Sequence, residues 1–216
     1  MIRNQIPYEY FITSGKGESD NGSAELPYET GSYDAALHDA GIGNVNIITY
    51  SSVLSPEAKC IPKEECIQRI HWGEVVQCIQ AISNGTKGKR ISSALMTVTI
   101  HSPTKYLGGF VCEYAGYGTK QEAEQSLFHS IVGMIKRREY GSFEKIELYK
   151  DNISNTGFTI HPGKQFIYES MHVKKKHGTV LTSICFVSHI VRPIKGKSKT
   201  KSKTKSKTKR IRNLLK

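Results

Sequence analysis

The stretch that most limits what this chain can fold into covers residues 41–54, Gly-Ile-Gly-Asn-Val-Asn-Ile-Ile-Thr-Tyr-Ser-Ser-Val-Leu. Its 45–50 part alternates in polarity and is rich in β-branched residues, which predicts a strand. The Gly-Ile-Gly-Asn ahead of it reads as a turn, and two adjacent serines, Ser51 and Ser52, stand at the far end. Taken alone this is a core strand with a polar tip. The rest of the chain decides whether the Ser51–Ser52 peptide bond is more than that.

Upstream, residues 8–13 predict a first strand of aromatic and β-branched residues. The segment 14–22 (Ser-Gly-Lys-Gly-Glu-Ser-Asp-Asn-Gly) reads as a polar loop that could carry Glu18 and Asp20 towards a site. It lacks the GK[ST] ending of a phosphate-binding loop, and no helix signal follows directly. Residues 32–40 predict a short helix with Tyr33, Ala36, Leu37 and Ala40 on one face, Asp34 in the first turn, and Gly41 where a left-handed terminal residue is wanted. Read locally, Asp34 is an acid placed at the positive end of a helix dipole.

Downstream, 72–83 and 91–101 predict strands separated by the turn signal Asn84-Gly85, and so a hairpin. Residues 107–114 are apolar and strand-like apart from Glu113. The clearest helix is 120–138, where Ala123, Leu127, Ile131, Met134 and Ile135 recur on one face. Residues 143–150, 164–173 and 179–190 read as further strands. Strand–helix–strand occurs twice, about a hundred residues apart, suggesting two similar halves with helices covering sheets.

The formal net charge is +12, from 31 Lys and Arg against 19 Asp and Glu, but it is concentrated. Residues 195–216 hold eleven Lys or Arg and no acid, which leaves 20 against 19 for residues 1–194. Lys-Ser-Lys-Thr repeats three times over 197–208, a pattern that repels itself and buries little, so 195–216 is expected to be a disordered basic tail. Such a tail could contact nucleic acid or an anionic membrane, or simply solubilise a near-neutral body.

Several chemistries are poorly supported. The five cysteines (Cys60, Cys66, Cys78, Cys112, Cys185) form no CxxC pair and leave an odd one over. Cys78, Cys112 and Cys185 lie in apolar runs, where a reduced thiol acts as a small hydrophobe. There is no HExxH and no GxSxG, and the histidines show no useful spacing, so no metal site and no serine hydrolase is expected. The start leads into no apolar signal region and no run approaches a membrane span, so a reducing cytoplasm is the expected home.

A different chemistry starts from a serine held at a constrained strand end. Its hydroxyl attacks the preceding carbonyl, an N→O shift gives an ester, elimination leaves dehydroalanine, and hydrolysis gives a pyruvoyl group. That ketone is a built-in electrophile able to form a Schiff base with a substrate amine and to act as an electron sink. The scheme needs a donor for the scissile carbonyl and an acid or base in reach.

The run Asp34-Ala35-Ala36-Leu37-His38-Asp39-Ala40-Gly41-Ile42-Gly43-Asn44-Val45-Asn46, followed by Ser51-Ser52-Val53-Leu54-Ser55-Pro56, resembles the self-processing region of the pyruvoyl-dependent arginine decarboxylases. Gly17-Glu18-Ser19-Asp20, and Glu113-Tyr114 followed by the 120–138 helix, occur in the same order as in that family. The resemblance covers most of 8–190, loosely between Cys60 and His101, and leaves the tail unmatched.

The resemblance implies an α+β fold, a four-layer α/β/β/α sandwich of duplicated β-α-β units. It implies one decarboxylase domain, 1–194, cut between Ser51 and Ser52 into a β chain 1–51 and an α chain whose folded part is 52–194. Ser52 would become the covalent pyruvoyl cofactor. Asn46 matches the asparagine that polarises the scissile carbonyl and helps hold the substrate, and Glu113 the acid used in processing and as proton donor after carbon dioxide leaves. Asp34 matches the carboxylate that receives the substrate guanidinium, a pairing suited to a planar, five-donor group. The implied reaction is L-arginine to agmatine and carbon dioxide, serving acid tolerance or polyamine supply. The implied assembly is a homotrimer of processed protomers, with hexamers as a further level and active sites between protomers. The rival is an unprocessed, inactive relative that binds nucleic acid or a membrane surface through its tail, or a decarboxylase of another basic amino acid.

Overall fold

The computed structural model describes residues 3–21 and 29–193, so the expected tail and residue 194 lie outside the described residues. In chain order it contains β1 (Arg3–Pro7), β2 (Glu9–Ser19), α1 (Glu29–Asp39), β3 (Asn46–Thr49), β4 (Val53–Leu54), β5 (Lys59–Cys60), α2 (Lys63–Ile67), β6 (Val75–Thr86) and β7 (Arg90–His101). There follow β8 (Tyr106–Gly116), α3 (Lys120–Lys136), β9 (Asn152–Ile153), β10 (Thr159–His172), β11 (His177–Phe186) and β12 (His189–Pro193). This is a mixed α+β chain. Its strands form one five-stranded sheet in the order β3-β6-β11-β2-β5, a second in the order β4-β8-β7-β10-β9, and a β1-β12 ribbon.

Strand alternation sorts most of the buried apolar side chains into three groups, beside a small fourth one of Ile91, Val173 and Val180. Val76, Cys78, Leu181 and Cys185 of the first sheet pack with Ala36 and Leu37 of α1 and with Ala40 just past its end. Ile79, Ala81, Ile184 and Phe186 point the other way and meet Leu95 and Val111 of the second sheet. Ala94, Met96, Val98, Phe110 and Cys112 then cover Ala123, Leu127, Ile131 and Ile135 of α3. Those last four belong to the five-residue face predicted from the 3.6 period, whose fifth member, Met134, is only half-buried, and burying Leu127, Ile131 and Ile135 contributes roughly 1.5–3 kcal/mol each. Thr119 starts α3 with a capping box: its Oγ1 accepts from the Glu122 amide while the Glu122 carboxylate accepts from Thr119 N–H.

Three expectations are corrected. The described part of the segment 14–22 is largely strand, because β2 continues to Ser19 and pairs with β11 along its length, while Gly22 lies outside the described residues. Its glycines are there for close packing: a Cβ on Gly15 would sit 2.1 Å from the Ala36 carbonyl oxygen, and one on Gly17 2.4 Å from that of Ser32. Nor do β6 and β7 form a hairpin. β6 runs through Asn84-Gly85 to pair with β11, while β7 pairs with β8 and β10 in the other sheet. The chain crosses between sheets at Lys87-Gly88-Lys89, beside the return crossing, with Gly88 N–H on the Val173 carbonyl (2.8 Å) and Val173 N–H on that of Lys89 (2.9 Å).

The third correction concerns 143–150, which is not a strand. The Asn152 amide takes the place of a ladder there, accepting from Glu147 N–H at 2.7 Å and donating to the Glu147 and Lys150 carbonyls. Phe143, Ile146 and Leu148 instead pack against the α3 cluster. Cys66, Cys78, Cys112 and Cys185 are buried, Cys60 is exposed, and all five thiols are free. Among the described residues no helix is long and apolar enough to cross a membrane.

Candidate active site

The Ser51–Ser52 bond lies where the chain leaves one sheet for the other. β3 runs parallel to β6 at the first sheet's edge, and Tyr50 extends the ladder with its N–H on the Cys78 carbonyl at 2.7 Å. The Tyr50 ring rests against Phe186, centroids 5.9 Å apart, in the space between the sheets. On the other side Leu54 is buried in that same core, and β4 pairs with β8 through Val53 and Phe110. Two anchors, Tyr50 and Leu54, therefore flank the serines.

Ser52 is held at both of its polar groups. Its carbonyl accepts the Val111 N–H at 2.9 Å, and its Oγ donates to Glu113 Oε1 at 2.8 Å. Glu113 reaches it by strand alternation: Phe110 and Cys112 face α3 and Val111 the inter-sheet core, so Glu113 falls on the inter-sheet side. β4 is too short to cover that end of β8, which leaves the carboxylate exposed at the sheet edge. A groove of about 560 Å³ opens beside it, lined also by His129, Ser130 and Arg137. Burial, and then the negative charge of Glu113, pushes the neighbouring Cys112 thiol up to about 12, so it stays an inert, protonated neighbour.

Asn46, at the start of β3, donates its Nδ2 to the Gly73 carbonyl at 2.8 Å. Asp34 stands on the exposed side of α1, the side away from the first sheet. Ser52 and Glu113 thus meet within one chain on the second sheet, while Asp34 and Asn46 belong to elements of the first. Glu18 and Asp20, expected to be carried towards a site, accept main-chain N–H groups: Glu18 from Lys174 and Lys175, Asp20 from Lys176 at 3.0 Å.

The family model for pyruvoyl-dependent arginine decarboxylase (PvlArgDC) matches residues 9–191. The chain belongs to that family. Pyruvoyl-dependent arginine decarboxylase 1 of Methanosarcina mazei is 32% identical over 151 residues, 69% of this chain and 84% of that protein. Pyruvoyl-dependent arginine decarboxylase AaxB of Chlamydia muridarum is 29% identical over 191 residues, 85% of this chain and 92% of that protein. The Methanosarcina acetivorans pyruvoyl-dependent arginine decarboxylase 1 is 35% identical over 118 residues, 54% of this chain and 66% of that protein.

In a member of this decarboxylase family the surroundings of Ser52 fit a pyruvoyl precursor. The Ser52 hydroxyl is in contact with a carboxylate, and the Ser52 carbonyl is fixed by Val111 N–H. One contact beside Ser52 escaped the sequence reading. The Val53 N–H donates to the Ser51 carbonyl at 2.9 Å, and no side-chain type signals a main-chain donor. Its only cue was the apolar pair Val53-Leu54, which has to re-enter a sheet directly after the serines.

Proposed function

We infer that this chain is a self-processing pyruvoyl-dependent decarboxylase that converts L-arginine to agmatine and carbon dioxide. The observation that carries the reading is the Ser52 hydroxyl on the Glu113 carboxylate, at a sheet-to-sheet crossing, in a chain of this family. The domain is 1–194, cut between Ser51 and Ser52 into 1–51 and a larger chain starting at 52, with 195–216 a basic tail. A ketone formed from Ser52 supplies an electrophilic carbon for the substrate amine and a sink for the electrons left when the carboxylate departs. Around it, Glu113 accepts the Ser52 hydroxyl proton in the uncut chain and later delivers a proton to the substrate carbon.

Asp34 receives the guanidinium, and Asn46, steadied by its bond to Gly73, contributes to the scissile carbonyl and the substrate. The three apolar clusters support a four-layer α/β/β/α reading, with β2-α1-β3 and β8-α3-β9 as the duplicated units. The placement of Asp34 and of Ser52 on different sheets favours trimers in which one protomer's α1 completes its neighbour's site, with hexamers as pairs of trimers. The enzyme would work in the cytoplasm.

Intact mass and gel analysis of the purified protein, together with carbon dioxide release from arginine, lysine, ornithine and histidine, tests processing and substrate at once. Two fragments and a preference for arginine are expected. A single uncut chain that releases nothing from arginine would sink the reading and favour a binding protein working through its tail.

A further inference from the structure

We propose that the main-chain N–H of Val53 is an oxyanion donor for the chain's own cleavage, an inference that rests on the decarboxylase reading above. The donor is already in place: Val53 N–H lies on the Ser51 carbonyl oxygen at 2.9 Å, closing a three-residue turn around Ser52. Ser52 is not among the residues with positive φ, so the turn is the relaxed, inverse form found at strand starts. The donor is rigidly held, because Val53 pairs with Phe110, Leu54 is buried, and Val111 N–H pins the Ser52 carbonyl at 2.9 Å.

The same turn sets both halves of the first step. The Ser52 Oγ bonds to the Ser51 carbonyl carbon as its proton passes to Glu113, whose Oε1 already accepts it at 2.8 Å. The carbonyl electron pair moves onto the Ser51 oxygen, where the Val53 N–H meets the developing charge without having to reorient. When that charge collapses, the bond from the Ser51 carbon to the Ser52 nitrogen breaks, and the nitrogen takes the proton back from Glu113. An ester and a free amine result, with no co-reactant consumed.

The test replaces single amide nitrogens by ester oxygens in the full-length chain made by cell-free translation. Cleavage into two fragments is then followed over time. An ester at Val53 removes the donor and should slow cleavage about 10²-fold, the usual cost of losing one oxyanion donor. It also weakens the Ser52 carbonyl as an acceptor, so an ester at Val111, which deletes the other partner of that bond, is the matched control and should cleave within a few-fold of the natural chain. A Val53 ester cleaved at the natural rate overturns the proposal, as does equal slowing by both esters, which would mean a loosened β4. A natural chain that stays whole would instead overturn the decarboxylase reading itself.

Discussion

The Ser52 hydroxyl donates to the Glu113 carboxylate at 2.8 Å, across 61 residues of chain. The hydroxyl belongs to the bond expected to break and the carboxylate to a strand edge that nothing in β4 covers, so the contact can serve first as base and later as acid. Ser52→Ala should leave the chain whole, since no other hydroxyl occupies that position. Glu113→Gln keeps shape and hydrogen bonding but cannot shuttle a proton, and turnover should fall by about 10²- to 10⁴-fold. Cleavage should slow as well, so mass follows the fraction that is cut and carbon dioxide release from arginine is measured on that fraction. Full turnover in Glu113→Gln would remove this residue from the chemistry.

α1 rests on β2 through contacts that leave no room for a side chain. A methyl at Gly15 or Gly17 would overlap the Ala36 or Ser32 carbonyl at 2.1 or 2.4 Å, and both obstacles are backbone. Gly15→Ala and Gly17→Ala should each destabilise by about 1–3 kcal/mol or more, as the helix lifts or β2 shifts. Urea unfolding measures it. Asp34 rides on that helix, so both variants should also raise KM for arginine, and a variant with natural stability would show that α1 yields without cost.

These glycines also show where sequence reading stopped. Gly15 and Gly17 sit in a segment whose composition is that of a loop, and only the small residues of α1 opposite reveal them as packing surfaces. Asn84-Gly85 misled in the same way: a Cβ on Gly85 would meet Ile91 Cγ2 at 2.5 Å, and Asn84 accepts from the Thr179 hydroxyl at 2.7 Å within a continuous strand. α3, by contrast, was legible to within two residues at its C-terminal end, because a helix that buries one face must repeat its apolar residues at 3.6. So was Gly41, whose φ of +79° suits a residue without a Cβ. The meeting of Ser52 with Glu113 has no local signature. It arises from strand register, and only likeness to a family pointed at it.

His189 sets an expectation for pH. Its Nε2 is buried with no hydrogen-bond partner among the described residues, and burial holds its pKa below the usual 6.5. The folded chain therefore binds this proton less readily than the unfolded one. The associated stability is fully present above about pH 6.5 and is lost as pH falls towards the depressed folded value. Glu9, held below its ordinary 4.5 by the Arg69 guanidinium and the Ser188 hydroxyl, acts only in a more acid range. The thermal midpoint should drop between pH 7 and 5, and His189→Phe should flatten that drop. An equal drop in both proteins would assign the effect elsewhere.

Asp34 lies on the exposed side of α1, on the sheet opposite the one that bears Ser52, and this placement makes its role separable from cleavage. Asp34→Asn should still be cut in two. It loses the charge that pairs with a guanidinium, and hydrogen bonds to charged groups contribute about 1.5–3 kcal/mol, so kcat/KM for arginine should fall roughly 10- to 150-fold. If a neighbour's Asp34 completes each site, chains carrying Asp34→Asn and chains carrying Ser52→Ala should rescue one another when co-expressed. Random assembly then pairs an intact Asp34 with an intact Ser52 at about one interface in four, which sets the activity recovered. No recovery, with each variant correctly assembled, would place the whole site within one protomer.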